Sequence, residues 1–168
     1  MDNTFKKITC EELKMNSFTS IGKQWMLITA GDENGYNTMT ASWGGMGIMW
    51  NKNVAFAFIR PQRYTLEFVD NSEYFTLCFF PEEYRPALTV CGTKSGRDID
   101  KAKETGLTPC FDLSAPYFQQ ASTVLVCRKM YGQYFDEKSV IDESVKANYA
   151  NNDYHKMFIA EIMEVYTK

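Results

Sequence analysis

Three stretches of the 168-residue sequence bring together side chains able to bind or react. In Arg60-Pro61-Gln62-Arg63-Tyr64-Thr65, two guanidiniums and two hydroxyls stand between an apolar run, 54–59, and a helix-like run, 65–69, that opens on a threonine N-cap. Arginine offers paired donors and a helix start offers free N–H groups, so the hexapeptide suits one phosphate; it suits equally a solvated turn with its arginines outward. Asn37-Thr38-Met39-Thr40-Ala41-Ser42-Trp43-Gly44-Gly45 is a polar strand of mostly small residues running into a glycine pair. Small side chains let a flat ligand reach the backbone, while the plain alternative is a barrel strand with a glycine bend and Trp43 filling core. Cys91-Gly92-Thr93-Lys94-Ser95-Gly96-Arg97-Asp98 is a polar loop whose Lys94 and Ser95 are donors for a ligand's phosphate or sugar-like chain, or simply an exposed connection.

Other motifs fail on spacing. Gly45-Met46-Gly47 has Trp50 where a dinucleotide fingerprint needs its third glycine, and Lys94-Ser95 lacks the glycines of a P-loop. A single histidine, His155, removes two-histidine zinc sites, and no metal is expected. Cys10, Cys78, Cys91, Cys110 and Cys127 are odd in number, form no C-x-x-C pair and read as reduced core thiols of a cytosolic protein. A cysteine hydrolase built on Cys91 and His155 lacks a nucleophile motif. With 18 basic against 21 acidic residues scattered along the chain, no basic stripe for nucleic acid exists. A 45% apolar and 15% aromatic composition fits a folded chain of about one domain, residues 1–168. The start, Met1-Asp2-Asn3-Thr4-Phe5-Lys6-Lys7, carries no secretory pattern, and the uncharged stretch 34–51 is too polar to span a membrane. A soluble, cytoplasmic protein is expected.

The elements that must position these residues are short. Apolar 25–29 and threonine-rich 36–42 flank Gly31-Asp32-Glu33-Asn34-Gly35, a hairpin signal. Runs 54–59 and 74–80 are strands stopped by Pro61 and Pro81. Residues 98–105 form an acid-first helix stopped by Gly106. Residues 122–127 and 133–135 make a long strand or a bent pair, 137–148 a helix, and 156–166 a closing strand. The expected architecture is an antiparallel β-barrel with helices in its connections, ahead of a doubly wound parallel fold.

Taken in order, the strand 37–43, the Arg60–Thr65 hexapeptide, Ser95-Gly96-Arg97-Asp98-Ile99-Asp100-Lys101 and His155 give a recognisable series. The chain resembles, over nearly its whole length, the flavin reductase-like family of FMN-binding split barrels, which includes flavoredoxin. The resemblance implies a mainly β fold, a six-stranded antiparallel split β-barrel of Greek-key type with short helices in the connections. It also implies a homodimer with FMN near the subunit interface. By position, Thr40, Ala41, Ser42 and Trp43 would line the isoalloxazine ring. Arg60, Arg63, Tyr64 and Thr65 would hold the phosphate, and Lys94 and Ser95 would approach from the other side. His155 is the catalytic candidate beside the flavin, or a partly buried hydrogen-bonded histidine. The implied activity is NAD(P)H-dependent flavin reduction, with hydride transfer to flavin N5 and onward transfer to a small-molecule or protein acceptor. The alternative is a flavoredoxin-type electron carrier reduced by a protein partner. Lys94 or a charged His155 would favour the anionic reduced flavin.

Overall fold

The computed structural model describes residues 4–168; residues 1–3, part of the N-terminal stretch read for a targeting signal, lie outside them. The elements run β1 (Lys6–Ile8), α1 (Ser17–Thr19), β2 (Met26–Asp32), β3 (Gly35–Ala41), β4 (Gly44–Met49), β5 (Lys52–Ile59), α2 (Thr65–Asn71), β6 (Tyr74–Phe79) and α3 (Arg85–Thr93). There follow α4 (Lys101–Thr105), β7 (Pro109–Cys110), β8 (Tyr117–Phe118), β9 (Thr123–Tyr134), α5 (Glu143–Lys146) and β10 (Lys156–Thr167). The main sheet has the order β3-β2-β6-β9-β10-β5-β4, with β1 paired to the end of β10 and β7 with β8 as a separate pair. Every pairing among the described residues is antiparallel, which removes the doubly wound alternative.

The two outer strands of that order, β3 and β4, are separated in sequence only by Ser42 and Trp43. Three peptide steps reach at most roughly 11 Å. The sheet therefore curls until its first and last strands meet at one corner, a barrel split along the unpaired β3/β4 seam. Inside it lie alternate residues of each strand, among them Met26, Ile28, Ala55, Ala57, Phe75, Leu77, Leu125, Cys127 and Phe158. The opposite faces of β2, β6 and β9 are also buried: Leu27, Cys78, Val124 and Val126 pack with Leu88 and Cys91 of α3, Ala102 of α4, and Tyr117 and Phe118 of β8. Burial on both faces explains why these strands read as continuous apolar runs. No helix among the described residues is long and apolar enough to cross a membrane.

Six strands were expected and the main sheet has eight; β1 and β4 are the additions. Gly44-Gly45-Met46-Gly47 has little strand propensity and is drawn into the sheet by pairing with β5, from Gly44 opposite Ala57 to Met49 opposite Lys52. The link is a two-residue turn with both residues, Trp50 and Asn51, at positive φ (51° and 57°), the twist that matches antiparallel strands. Helix α3 was missed because Pro86 stands in its first turn, where proline is tolerated. The acid-first helix begins only at Lys101, with Asp100 capping the Lys103 N–H and Gly106 closing it at φ 70°. Thr65 is not an N-cap: it is the first residue of α2, and its hydroxyl accepts a bond from Asn37. The helix expected over 137–148 is broken into a 3-10 turn, α5 and a second 3-10 turn, Ala147–Tyr149. Asp136 and Asp142 each cap a new turn there, and Ile141 stays fully exposed, so no apolar face supports a longer helix.

One residue fixes the β2–β3 hairpin geometry. Gly31 sits at φ 113°, and a Cβ there would lie 2.2 Å from the Gly35 carbonyl oxygen and 2.6 Å from the Tyr36 Cα. Gly31→Ala is expected to lower the unfolding free energy by roughly 2–4 kcal/mol. Gly47→Ala, with open space around its Cβ, is the control and should cost under about 1 kcal/mol in the same urea titration.

Candidate functional site

Two cavities meet at the β3/β4 corner. One, of about 220 Å³, is a slot bordered by Met39, Thr40, Ala41, Ser42, Trp43, Phe58 and His155, with Arg60 and Arg63 at one end. The other, of about 360 Å³, is a polar basin. Its charged and hydroxyl lining is Arg60, Arg63, Lys94 and Lys101 with Tyr64, Thr65, Thr93 and Ser95, and no Asp or Glu borders it. The cavities share Met39, Arg60 and Arg63, so they adjoin and together offer room for an elongated ligand with one flat and one anionic end.

The basin's cations are held in different ways. Lys101 is buried, and its ammonium donates to the carbonyls of Thr38 (2.7 Å) and Cys91 (2.8 Å), tying β3 to the last turn of α3. Burial pushes its pKa down to about 8 against a smaller opposing pull from Cys91, with a lesser further lowering from the charge on Arg63. Arg63 Nη1 donates to Gly92 O at 2.6 Å in the same helix turn, and burial followed by repulsion from Arg60 lowers its pKa. These partners are neutral carbonyls, two of them, Cys91 O and Gly92 O, at the negative end of a helix; they fix the cations without cancelling their charge. Arg60 differs. It forms an ion pair with Asp153, donates to Asn148 O at 2.9 Å and lies 5.5 Å from the Tyr149 ring centroid. Gln62 Nε2 bonds the same Asp153 oxygen at 2.8 Å.

Along the slot, Thr40 and Ala41 end β3 and the backbone leaves the sheet at Ser42 and Trp43. Thr40 turns its hydroxyl to Leu88 O of α3, and Ala41 is buried, whereas Ser42 and Trp43 are exposed at the corner. Trp43 packs on the His155 ring with centroids 4.9 Å apart and planes at 39°. His155 is buried, with Nδ1 3.0 Å from the Tyr149 hydroxyl. Burial, then the charges of Arg60 and Arg63, outweigh Asp153 and hold its pKa down at about 4. The imidazole is therefore neutral at pH 7, in keeping with the partly buried, hydrogen-bonded alternative weighed for His155.

All ten residues singled out in 40–43, 60–65 and 94–95, together with His155, border one or other cavity. Thr65 and Thr40 point their hydroxyls at protein groups, Asn37 Nδ2 (2.8 Å) and Leu88 O. Asn37, Phe58, Lys101 and Tyr149 went unassigned. Lys101 had a signal: a lysine directly after a helix N-cap opposes the helix dipole and needs another reason to be there. Tyr149 gave none, since its partner is six residues away across an irregular turn.

A family model described as "Flavin reductase like domain" matches residues 18–168. No curated protein sequence matches the chain. Among solved structures, an FMN-binding domain of a flavin reductase-like enzyme from Shewanella baltica OS155 is similar at 16% identity, covering 99% of this chain and 78% of that one, with a TM-score of 0.70. Flavoredoxin from Methanosarcina acetivorans is similar at 18% identity over 95% and 76% of the two chains, TM-score 0.69. Flavoredoxin of Desulfovibrio vulgaris (Miyazaki F) is similar at 19% identity over 97% and 77%, TM-score 0.67.

The neutral, buried His155 has a consequence for stability. Its pKa drops from 6.5 to about 4 on folding, so between these values the unfolded chain binds the extra proton. Stability is then greatest above pH 6.5 and falls as pH drops toward 4, by roughly 3 kcal/mol at most from this residue. Urea unfolding of wild type and His155→Gln across pH 4–8 should show a steeper acid loss in the wild type; parallel curves would remove the assignment.

Proposed function

The chain belongs to the flavin reductase-like family, and from that premise we propose that residues 1–168 form one FMN-binding oxidoreductase domain working in the cytoplasm. The observation that carries this reading is the basin's charge: four cations and no carboxylate in its lining, with Arg63 and Lys101 tethered only to neutral carbonyls. A phosphomonoester of nearly two negative charges complements that arrangement. The adjoining slot, walled by Thr40, Ala41, Ser42 and Trp43, suits a flat heteroaromatic ring.

Bound FMN supplies the hydride and electron chemistry; the chain supplies position and electrostatics. Arg63 and Lys101 are the principal phosphate ligands, supported by Lys94, Ser95, Tyr64 and Thr65. Arg60 contributes less than its sequence position suggests, because Asp153 already neutralises it. Trp43 and His155 close one end of the slot and exclude water. The exposed Trp43, Ile48 and Trp50 of the β4 edge support a homodimer whose interface passes near the cofactor. Five unpaired cysteines support a reducing compartment.

NAD(P)H is the proposed hydride donor and a small molecule the acceptor. A second reading, an electron carrier reduced by a protein, is favoured by the apolar cavity of about 510 Å³ on the other side of Trp43. Phe18, Ile21, Met46, Phe58 and Phe135 line it, and no charged side chain does, so it offers nothing to a nicotinamide pyrophosphate. Anaerobic NADH or NADPH bleaching the flavin within seconds supports the reductase; no bleaching supports the carrier.

Phosphate recognition is tested by comparing FMN with riboflavin. Arg63→Ala should weaken FMN binding by roughly 10–100-fold, the worth of a charge-assisted contact, and change riboflavin binding by less than about threefold. Fluorescence titration measures both. An equal loss for the two flavins, or none for FMN, would sink the basin assignment.

A further inference from the structure

We propose that Tyr149 is a positioning residue: its hydroxyl fixes His155 in the tautomer protonated on Nε2, so that the slot is offered an N–H donor and not a lone pair. This rests on the reading of the slot as a ligand site, but the tautomer itself does not. Tyr149 is buried, and its ring is held by stacking on Tyr154 (centroids 4.4 Å, planes 20° apart) and by the Arg60 guanidinium 5.5 Å away. Arg60 also binds the Asn148 carbonyl next to it, so the tyrosine cannot leave without unlatching that turn. The Tyr149 bond to Nδ1, at 3.0 Å, is the imidazole's hydrogen bond to protein among the described residues. Nε2 is left for the slot that His155 borders.

The direction of the Tyr149 bond follows from acid–base matching. A neutral phenol is a better donor than acceptor, and an unprotonated imidazole nitrogen is a strong acceptor, so Oη–H donates to Nδ1. The ring's one remaining proton then sits on Nε2. The charged groups facing the imidazole keep that arrangement neutral: Arg60 from the end of β5 and Arg63 beyond it disfavour a second proton, and Asp153, which favours one, is paired with Arg60. Trp43, from the β3/β4 corner, brings no charge. His155 thus acts as a fixed dipole toward an acceptor atom on the ligand's edge. It holds its proton and does not deliver it.

His155 is the chain's single histidine, so selective ¹⁵N-histidine labelling reports one imidazole. Long-range ¹H–¹⁵N correlation spectra should show the neutral Nε2–H tautomer in the wild type at pH 6–8. In Tyr149→Phe the Nδ1–H form should rise severalfold, from a few per cent toward the roughly one-fifth share it has in a free neutral imidazole, since only the ring's intrinsic preference then selects between the nitrogens. A wild-type ring protonated on Nδ1, or a variant with an unchanged tautomer, overturns the proposal. Should Tyr149→Phe fail to fold, 3-fluorotyrosine placed at position 149 keeps the ring and acidifies the hydroxyl. It should move the Nδ1 resonance, and no movement overturns the proposal equally. Adding FMN separates the two readings. FMN that fails to bind refutes the flavin assignment while the apo spectra still decide the tautomer. FMN that binds and leaves the Nε2 resonance unmoved refutes the role of His155 toward the ligand. FMN that binds, shifts Nε2 in the wild type and changes the flavin absorption band in Tyr149→Phe supports both.

Discussion

The two-residue link between β3 and β4 is the constraint on which the site depends. Ser42 and Trp43 join strands at opposite ends of the sheet order, so the whole sheet must curl to bring those ends within their reach. The corner this creates has no ladder partner on one side. Backbone groups there are free for a ligand, and Trp43 is left standing at the surface against His155. The slot follows from closure of the barrel and needs no dedicated loop. The small residues on either side, Ala41, Ser42, Gly44 and Gly45, follow as well: Gly44 already has Phe56 O and Met26 Cε 3.0 Å from where a Cβ would sit.

Around this corner the chain solves an electrostatic problem with backbone dipoles. Cations brought together repel one another, and the usual remedy of adding carboxylates would abolish affinity for an anion. Lys101 and Arg63 are instead anchored on Cys91 O and Gly92 O, carbonyls of the C-terminal turn of α3. Those carbonyls lack helix partners and would otherwise need water or a cap. One arrangement satisfies the helix end, ties β3 to α3 through Thr38 O and Thr40, and leaves the positive charge in the basin. The lowered pKa values of both side chains follow first from desolvation and only then from residual repulsion between the cations.

The parts of this design that are local in sequence were legible. The β2–β3 hairpin, the strands ended by Pro61 and Pro81, and the Gly106 stop of α4 follow from turn and capping chemistry within a few residues. What depends on partners distant in sequence was not. Strand β4 exists because β5 pairs with it, and α3 hides behind a proline in its first turn. Thr65 looked like a cap, yet it is buried under Asn37, 28 residues earlier. The loop 91–98 was read for its donors Lys94 and Ser95, but the buried anchor is Lys101, three residues beyond it. A lysine is ordinarily a surface residue, and only the tertiary structure reveals that its charge is kept inside.

Arg60 illustrates how one side chain changes meaning between the two levels. In the hexapeptide it is a candidate phosphate ligand or an outward-pointing turn residue; in the fold it gathers residues 148–153. The connection leading into it, 136–149, has little order of its own, with two capping aspartates, three short turns and no apolar face. Arg60 supplies what is missing: its planar fork reaches Asp153 and Asn148 O together while its face covers Tyr149. Lysine, a point charge on a flexible stem, would not bridge all three. The arginine at the end of β5 therefore builds the histidine wall of the slot, and the task of meeting an anion passes to Arg63 and Lys101, whose charges no carboxylate offsets.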